Sequence, residues 1–178
     1  MENYIYNINK DENLNLYFSL KGKHDLNISE DEKNKFINEV SKKIKELSLS
    51  FDTIIYPESS SDLIEKVAVS LNKDIIVIKK NSLSTIRSIL TDMKFSKQEM
   101  SSQIKRISEM TESFKIHKIK YNQRHKYSKY LFEKIELKDE EKTLFIDDSY
   151  FSGSTFKAIK SIYPEISGIF IFKNVVEE

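Results

Sequence analysis

The sequence predicts an α/β protein, a twisted and mostly parallel sheet flanked by helices, and three observations carry that prediction. Short apolar runs recur, TIIY (53–56), DIIVI (74–78), TLFI (143–146) and GIFIF (168–172), each too apolar for a strand with a solvated face. Stretches with apolar residues three and four apart stand between them. Within residues 52–80, DTIIYPESSSDLIEKVAVSLNKDIIVIKK reads strand, loop, helix, strand, a βαβ unit that demands parallel strands joined by a right-handed crossover.

Taken in order, YIYNI (4–8) and NLYFSLKG (15–22) alternate apolar with polar residues on either side of NKDEN, so residues 1–28 are expected to form an amino-terminal hairpin or hood. Residues 29–47 place Phe36, Ile37, Val40, Ile44 and Leu47 at helical spacing behind Ser29 and the acids Glu30, Asp31 and Glu32, which mark a capped amino end. A helix over 62–71 turns Leu63, Ile64, Val67, Ala68 and Leu71 inward, and 74–80 reads as a buried strand. Farther on, Ile104, Ile107, Met110 and Phe114 recur at helical spacing, which makes 81–137 a flexible loop with a helical, basic insertion. The last third reads strand (143–146), loop (DDSYFSGS, 147–154), helix (155–162), strand (from 167). At 178 residues the chain is read as one domain, 1–178.

Composition narrows the function. With 29 Lys+Arg against 28 Asp+Glu the net charge is +1, which gives no global electrostatic case for nucleic acid or an anionic membrane. The absence of cysteine excludes disulfides, thiolate metal sites and cysteine nucleophiles. The first residues lack a basic start followed by an apolar run, and no stretch approaches ~18 uninterrupted apolar residues, so a cytoplasmic protein with no membrane partner is expected. His117 and His125 have no carboxylate at metal-ligand spacing.

In a parallel sheet the chemistry lies beyond the carboxyl ends of the strands, which directs attention to the loops after Tyr56, Ile78 and Ile146. At the third of these, the apolar run of LFIDDSYFSGSTF meets Asp147 and Asp148, and then Ser152, Gly153, Ser154 and Thr155 precede a helix. Successive backbone N–H groups at a helix amino terminus cradle phosphate, and glycine permits the left-handed backbone and close approach that such a cradle needs. The two carboxylates suit sugar hydroxyls, or Mg²⁺ directly or through water. A phosphate loop beside two acids points to a phosphorylated sugar.

IDDSYFSGST resembles the phosphoribosyl-pyrophosphate signature of type I phosphoribosyltransferases, with Ser152 in place of the usual first threonine. The resemblance covers about residues 52–173 and implies that family's Rossmann-like fold, with a loop at 81–94 able to close over the site. By this resemblance Asp147 and Asp148 hold the ribose hydroxyls, and Ser152, Gly153, Ser154 and Thr155 hold the 5′-phosphate. TIIYPESSSDLIEKVAVSL resembles the pyrophosphate loop, which assigns Glu58, Ser59, Ser60 and Ser61. IIVIKKNS resembles the family's third feature, a basic residue that neutralises departing pyrophosphate, which implies Lys79 as a binding residue and Lys80, with Asp147 and Asp148, as catalytic. The implied cofactor is Mg²⁺, held mainly through phosphoribosyl pyrophosphate with Asp147 as a candidate protein ligand. The implied partners are phosphoribosyl pyrophosphate and a nucleobase-like acceptor, in a homodimer. Phe151 stands where the 6-oxopurine branch carries a base-handling aspartate, which speaks against hypoxanthine or guanine, and Tyr150 and Phe151 are candidates for stacking on a base.

Two weaker signals stand beside this one. Gln98, Arg106 and Phe114 echo the phosphoribosyltransferase-like proteins of bacterial DNA uptake, although that group's asparagine is Glu109 here. Residues 115–130, KIHKIKYNQRHKYSKY, read first as a solvated helix face and second as nucleic-acid contact. The competing function is accordingly a non-catalytic binder of phosphoribosyl pyrophosphate or nucleotide, in which the basic middle contacts nucleic acid.

Overall fold

The structure, a computed structural model, describes residues 1–8, 11–21, 28–58, 62–110, 114–151 and 153–173. The fold is α/β: a five-stranded parallel sheet in the order β1-β5-β4-β2-β3, flanked by helices. The strands are β1 (Glu2–Asn7), β2 (Thr53–Pro57), β3 (Asp74–Ile78), β4 (Thr143–Tyr150) and β5 (Ser167–Lys173). The helices are α1 (Asp11–Leu20), α2 (Glu30–Glu46), α3 (Leu63–Ser70), α4 (Leu83–Ile89), α5 (Lys97–Ser108) and α6 (Ser154–Ile162). Among the described residues no helix is long and apolar enough to cross a membrane. The chain divides into two compact units, one of residues 1–77, 137–152 and 165 onward, the other of 78–136 and 153–164.

In the first unit the apolar faces of α2 and α3 bury Val40, Ile44, Val67 and Ala68 together with Ile54 of β2 and Ile146 of β4. The start of α2 is a full capping box: Ser29 Oγ accepts the Glu32 N–H (3.3 Å), and Glu32 accepts the Ser29 N–H (3.0 Å). The Ser41 and Ser70 hydroxyls bond across the α2–α3 contact, and Asp62 receives Lys33 (2.5 Å) and Lys66 (2.9 Å) at its rim.

Several expectations from the sequence need correction. The amino-terminal hairpin is not formed, because residues 11–20 are the helix α1 and β1 pairs in parallel with β5. The alternation Leu14, Leu16, Phe18, Leu20 imitates a strand. A helix instead lines up Leu14, Tyr17, Phe18 and Lys21, and Tyr17 and Leu20 are buried in the core. The strand before the acid pair does not stop at Ile146: β4 runs through Asp147 and Asp148 to Tyr150, paired throughout with β5. The stretch expected as a loop at 81–94 contains α4, with Ser82 accepting the Thr85 N–H (3.1 Å) at its cap and Ile86 buried, followed by a 3-10 turn at Leu90–Asp92. Lastly, β3 is an edge strand with Ile75 and Val77 exposed, because α3 packs over β2 and β4 and leaves β3 uncovered.

The second unit packs α6 against a 3-10 helix at Tyr121–Tyr130. Its interior holds a polar chain: buried Tyr127 donates to Gln103 Oε1 (2.9 Å), and Gln103 Nε2 donates to Gln123 Oε1 (2.6 Å). Burial pushes the Tyr127 phenol well above its ordinary pKa, so the hydroxyl remains a donor there. Ile104, expected inward, is exposed, while Ile107, Met110 and Phe114 are buried.

A pH prediction follows from the start of α5. The Ser96 backbone N–H, the Ser96 side chain and then Lys126 and Gln123 hold the Glu99 carboxyl down to about 2, from an ordinary 4.5. A depressed acid stabilises the fold above its unfolded pKa and loses that contribution as pH falls through the folded value. The wild type is therefore expected to lose stability between pH 4.5 and about 2 more steeply than Glu99→Gln. Thermal melts of both proteins across that range check it, and parallel curves would refute it.

Candidate functional site

Sheet topology selects the site's location before any side chain does. From β2 the chain moves outward to β3, and from β4 it moves the other way to β5, so the switch point of the sheet lies between the adjacent strands β2 and β4. Their register is Thr53 with Thr143, Ile54 with Leu144 and Ile55 with Phe145. Continued by two residues, it sets Pro57 level with Asp147, so Glu58 and the acid pair emerge at the same end of neighbouring strands.

Asp147 and Asp148 are consecutive residues of an unbroken strand, so their carboxylates leave on opposite sides. Asp147 is half-buried, and its Oδ1 accepts the Asp148 N–H (2.9 Å). Asp148 is 8% exposed. One of its oxygens receives the Lys21 ammonium, and the other receives the Ser149 hydroxyl (2.8 Å). Lys21 arrives from the end of α1, where its backbone N–H still bonds to Tyr17 O (3.1 Å) and fixes the side chain's origin.

Aromatic rings adjoin the acids. Tyr150 packs edge-on against Phe170 (4.8 Å between ring centroids) and Tyr4 (5.5 Å). Phe151 is 51% exposed, and its one described ring contact is Tyr17 at 5.8 Å. Of the two rings nominated for stacking on a base, Phe151 keeps the more accessible face.

In the second unit Gly153 is buried at the cap position of α6 with φ 65°, the left-handed conformation that glycine adopts without steric cost. Its carbonyl accepts the Lys157 N–H (2.8 Å) and so begins the helix. Ser154 and Thr155 are half-buried in the first turn of α6. Also in this unit, Lys79 and Lys80 are exposed, and Lys79 O and Lys80 pair with Glu133 and Phe132. Ser59, Ser60, Ser61 and Ser152 lie outside the described residues, and Glu58 is exposed at the end of β2.

Sequence reasoning missed Lys21, Tyr17 and Ser149. Lys21 and Tyr17 fell in the segment read as a strand, and no local pattern ties residue 21 to residue 148. Among the described residues no three His, Asp or Glu side chains gather as a metal-binding group. The described acids therefore do not form an all-protein Mg²⁺ cage.

The α/β fold carries, in the first unit, the acid pair of β4 as candidate sugar contacts and, in the second, the left-handed glycine and first turn of α6 as candidate anion contacts. No family model matches the chain, and no curated protein matches it. Among solved structures, a hypoxanthine phosphoribosyltransferase from Staphylococcus aureus is similar at 12% identity and a TM-score of 0.42, over 81% of this chain. The chain spans 63% of that protein's length.

Proposed function

We propose that the protein is a phosphoribosyltransferase that moves the 5-phosphoribosyl group from phosphoribosyl pyrophosphate to a nitrogenous base. The observation that carries this reading is the run from Leu144 to Ile162, where an apolar strand carries two acids, a left-handed glycine follows, and a helix starts with Ser154 and Thr155 in its first turn. In this reading Asp147 and Asp148 hold the ribose hydroxyls, and Ser152, Gly153, Ser154 and Thr155 the 5′-phosphate. Ser59, Ser60, Ser61, Lys79 and Lys80 receive the diphosphate. Asp147 is the protein residue that would contact Mg²⁺ carried by the diphosphate, and the chemistry the ion would supply is neutralisation of the diphosphate charge.

The bond from C1′ to the pyrophosphate oxygen breaks, and pyrophosphate leaves with the electron pair. A bond from the base nitrogen to C1′ forms, and the nitrogen loses its proton. The transition state is cation-like at C1′, so neutralising the leaving diphosphate and positioning the sugar contribute more than a strong base. Phe151 supplies an exposed ring at the end of β4 for stacking on the acceptor.

The test combines binding and turnover. Phosphoribosyl pyrophosphate with Mg²⁺ should raise the melting temperature, since a ligand of the native state stabilises it. A pyrophosphate-release screen over purine, pyrimidine and pyridine bases then finds the acceptor. A melting shift without release from any base would mark a binding-only protein, and no shift would remove the proposal.

Asp147→Asn isolates the sugar contact. Asparagine keeps an oxygen for the Asp148 N–H, and a thermal melt of the variant separates any loss of stability from loss of binding. Losing a charge-assisted hydrogen bond to a ribose hydroxyl should lower kcat/KM by about 10- to 100-fold. Unchanged kinetics in this variant would dismiss Asp147 as a ribose ligand.

A further inference from the structure

The net charge of +1 for the whole chain conceals a segregation between its two units. Residues 78–136 and 153–164 carry 16 Lys+Arg against 6 Asp+Glu, while the remaining residues carry 13 against 22, which together restore the 29 and 28 of the full sequence. The second unit is strongly cationic. Charge asymmetry of that size within one chain marks a surface for a polyanion.

The packing of this unit gathers part of the excess into a line. Helix α5 and residues 118–130 run side by side in opposite directions, because Arg106 Nη1 donates to Lys118 O (3.4 Å), Gln103 Nε2 to Gln123 Oε1 (2.6 Å) and Lys126 Nζ to Lys94 O (3.0 Å). Lys94 and Lys126 thus stand at one end of the seam, Arg106 and Lys118 at the other, about 18 Å apart over the 12 residues of α5. Lys126 pairs with Glu99 (3.4 Å). Lys94, Lys97, Lys105, Lys118, Lys120 and Lys129 are exposed, and among the described residues none of them forms an ion pair. Half-buried rings lie among these cations: Lys126 Nζ is 4.5 Å from the centre of the Phe95 ring, and Lys129 Nζ is 4.7 Å from that of Tyr130. A small phosphorylated ligand needs a few cations converging on one point, whereas a row of ~18 Å matches about five successive phosphates at ~3.4 Å each. Ring faces attract bases that are unpaired, which favours a single strand over a duplex.

We propose that the second unit binds single-stranded nucleic acid, with phosphates along the seam between α5 and residues 118–130 and a base stacked on Tyr130. A phosphate that draws Lys129 off the Tyr130 ring opens that face to the adjoining base. The seam uses none of the residues assigned to phosphoribosyl pyrophosphate, so the inference stands independently of the function proposed above.

Fluorescence anisotropy of the full chain with a labelled oligothymidylate of about 20 nucleotides tests the inference. Wild type should bind, and its affinity should fall about 50-fold from about 50 mM to about 200 mM salt, as neutralising about four phosphates of a single strand requires. Lys118→Glu with Lys120→Glu, two exposed side chains, should weaken binding at least about 10-fold and flatten the salt dependence. Lys35→Glu with Lys45→Glu makes the same change of charge at exposed positions of α2 in the first unit and should leave binding within about twofold. Tyr130→Leu should weaken binding about 10-fold with an unchanged salt slope, and the lysine variants decide the inference should that protein fail to fold. Absence of binding at the lower salt overturns the inference. Equal losses in the two lysine variants overturn it too, since net charge alone would then explain them. A duplex of the same length that binds as tightly, or phosphatidylserine vesicles that bind in place of the oligonucleotide, would assign the surface to another polyanion and overturn it as well.

Discussion

Asp148→Ala is expected to cost the protein about 3–5 kcal/mol in urea unfolding, the range for removing one member of a buried ion pair. The loss arises because Lys21 stays behind with only 15% of its side chain exposed, and without the Asp148 carboxylate that received it. The Ser149 hydroxyl loses its acceptor in the same substitution. Removing both charges together should be much milder: the double variant Lys21→Met with Asp148→Leu exchanges a desolvated pair for apolar contact and should unfold near the wild-type midpoint. A cycle in which the two single costs simply add would show that the pair does not exist in solution. The same geometry alters how an Asp148 variant is interpreted. An acid at an exposed strand end could be changed with little effect on folding, but Asp148 lies inside β4 and is 8% exposed, so a loss of activity in its variants mixes binding with stability. Asp147, half-buried where Asp148 is buried, and accepting the Asp148 N–H, is the cleaner probe.

Phe172→Ala should be comparably severe, about 3–5 kcal/mol, as for other large aromatic truncations in a core. Phe172 is fully buried on β5, with ring centroids at 5.2 Å from Tyr17, 5.7 Å from Tyr6 and 5.8 Å from Phe36. One side chain therefore joins β5 to β1, α1 and α2. Beyond the lost area, each aromatic contact contributes roughly 0.5–1.5 kcal/mol. Because Tyr17 seats α1 and Lys21 follows α1 directly, the substitution should also weaken the ion pair. Combined with Asp148→Ala it should cost less than the sum of the two, whereas Phe172→Leu should recover a large part of the stability. A cost below about 1 kcal/mol for the alanine variant would contradict the packing described for this cluster.

Much of the framework was legible because it is written locally. The βαβ pattern of residues 52–80, the cap at Ser29 and the glycine before α6 each depend on residues within a few positions of one another, and β2, α2, α3, β4, α6 and β5 form where those signals stand. Misreadings came where two periods fitted one short stretch. Residues 14–20 satisfy a strand's alternation and a helix's spacing about equally, and burial of Tyr17 and Leu20 against β5 and α2 decided for the helix. The run DIIVI is apolar enough for a central strand, yet nothing within it encodes its place at the sheet edge, where Ile75 and Val77 are exposed.

By itself, then, the sequence determined that a strand leads into two acids, that a glycine free to turn left-handed follows, and that a helix begins there with two hydroxyls. Those are properties of neighbouring residues, whose backbone preferences and hydrogen bonds need no distant partner. Only the tertiary structure decided that the acids leave β4 on opposite sides and that one of them is held by a lysine 127 residues away. It also decided that a helix rather than a hairpin brings that lysine in. The reason is physical: a contact between residues so far apart in the chain is paid by the burial of many side chains at once, and no short stretch of sequence contains that sum.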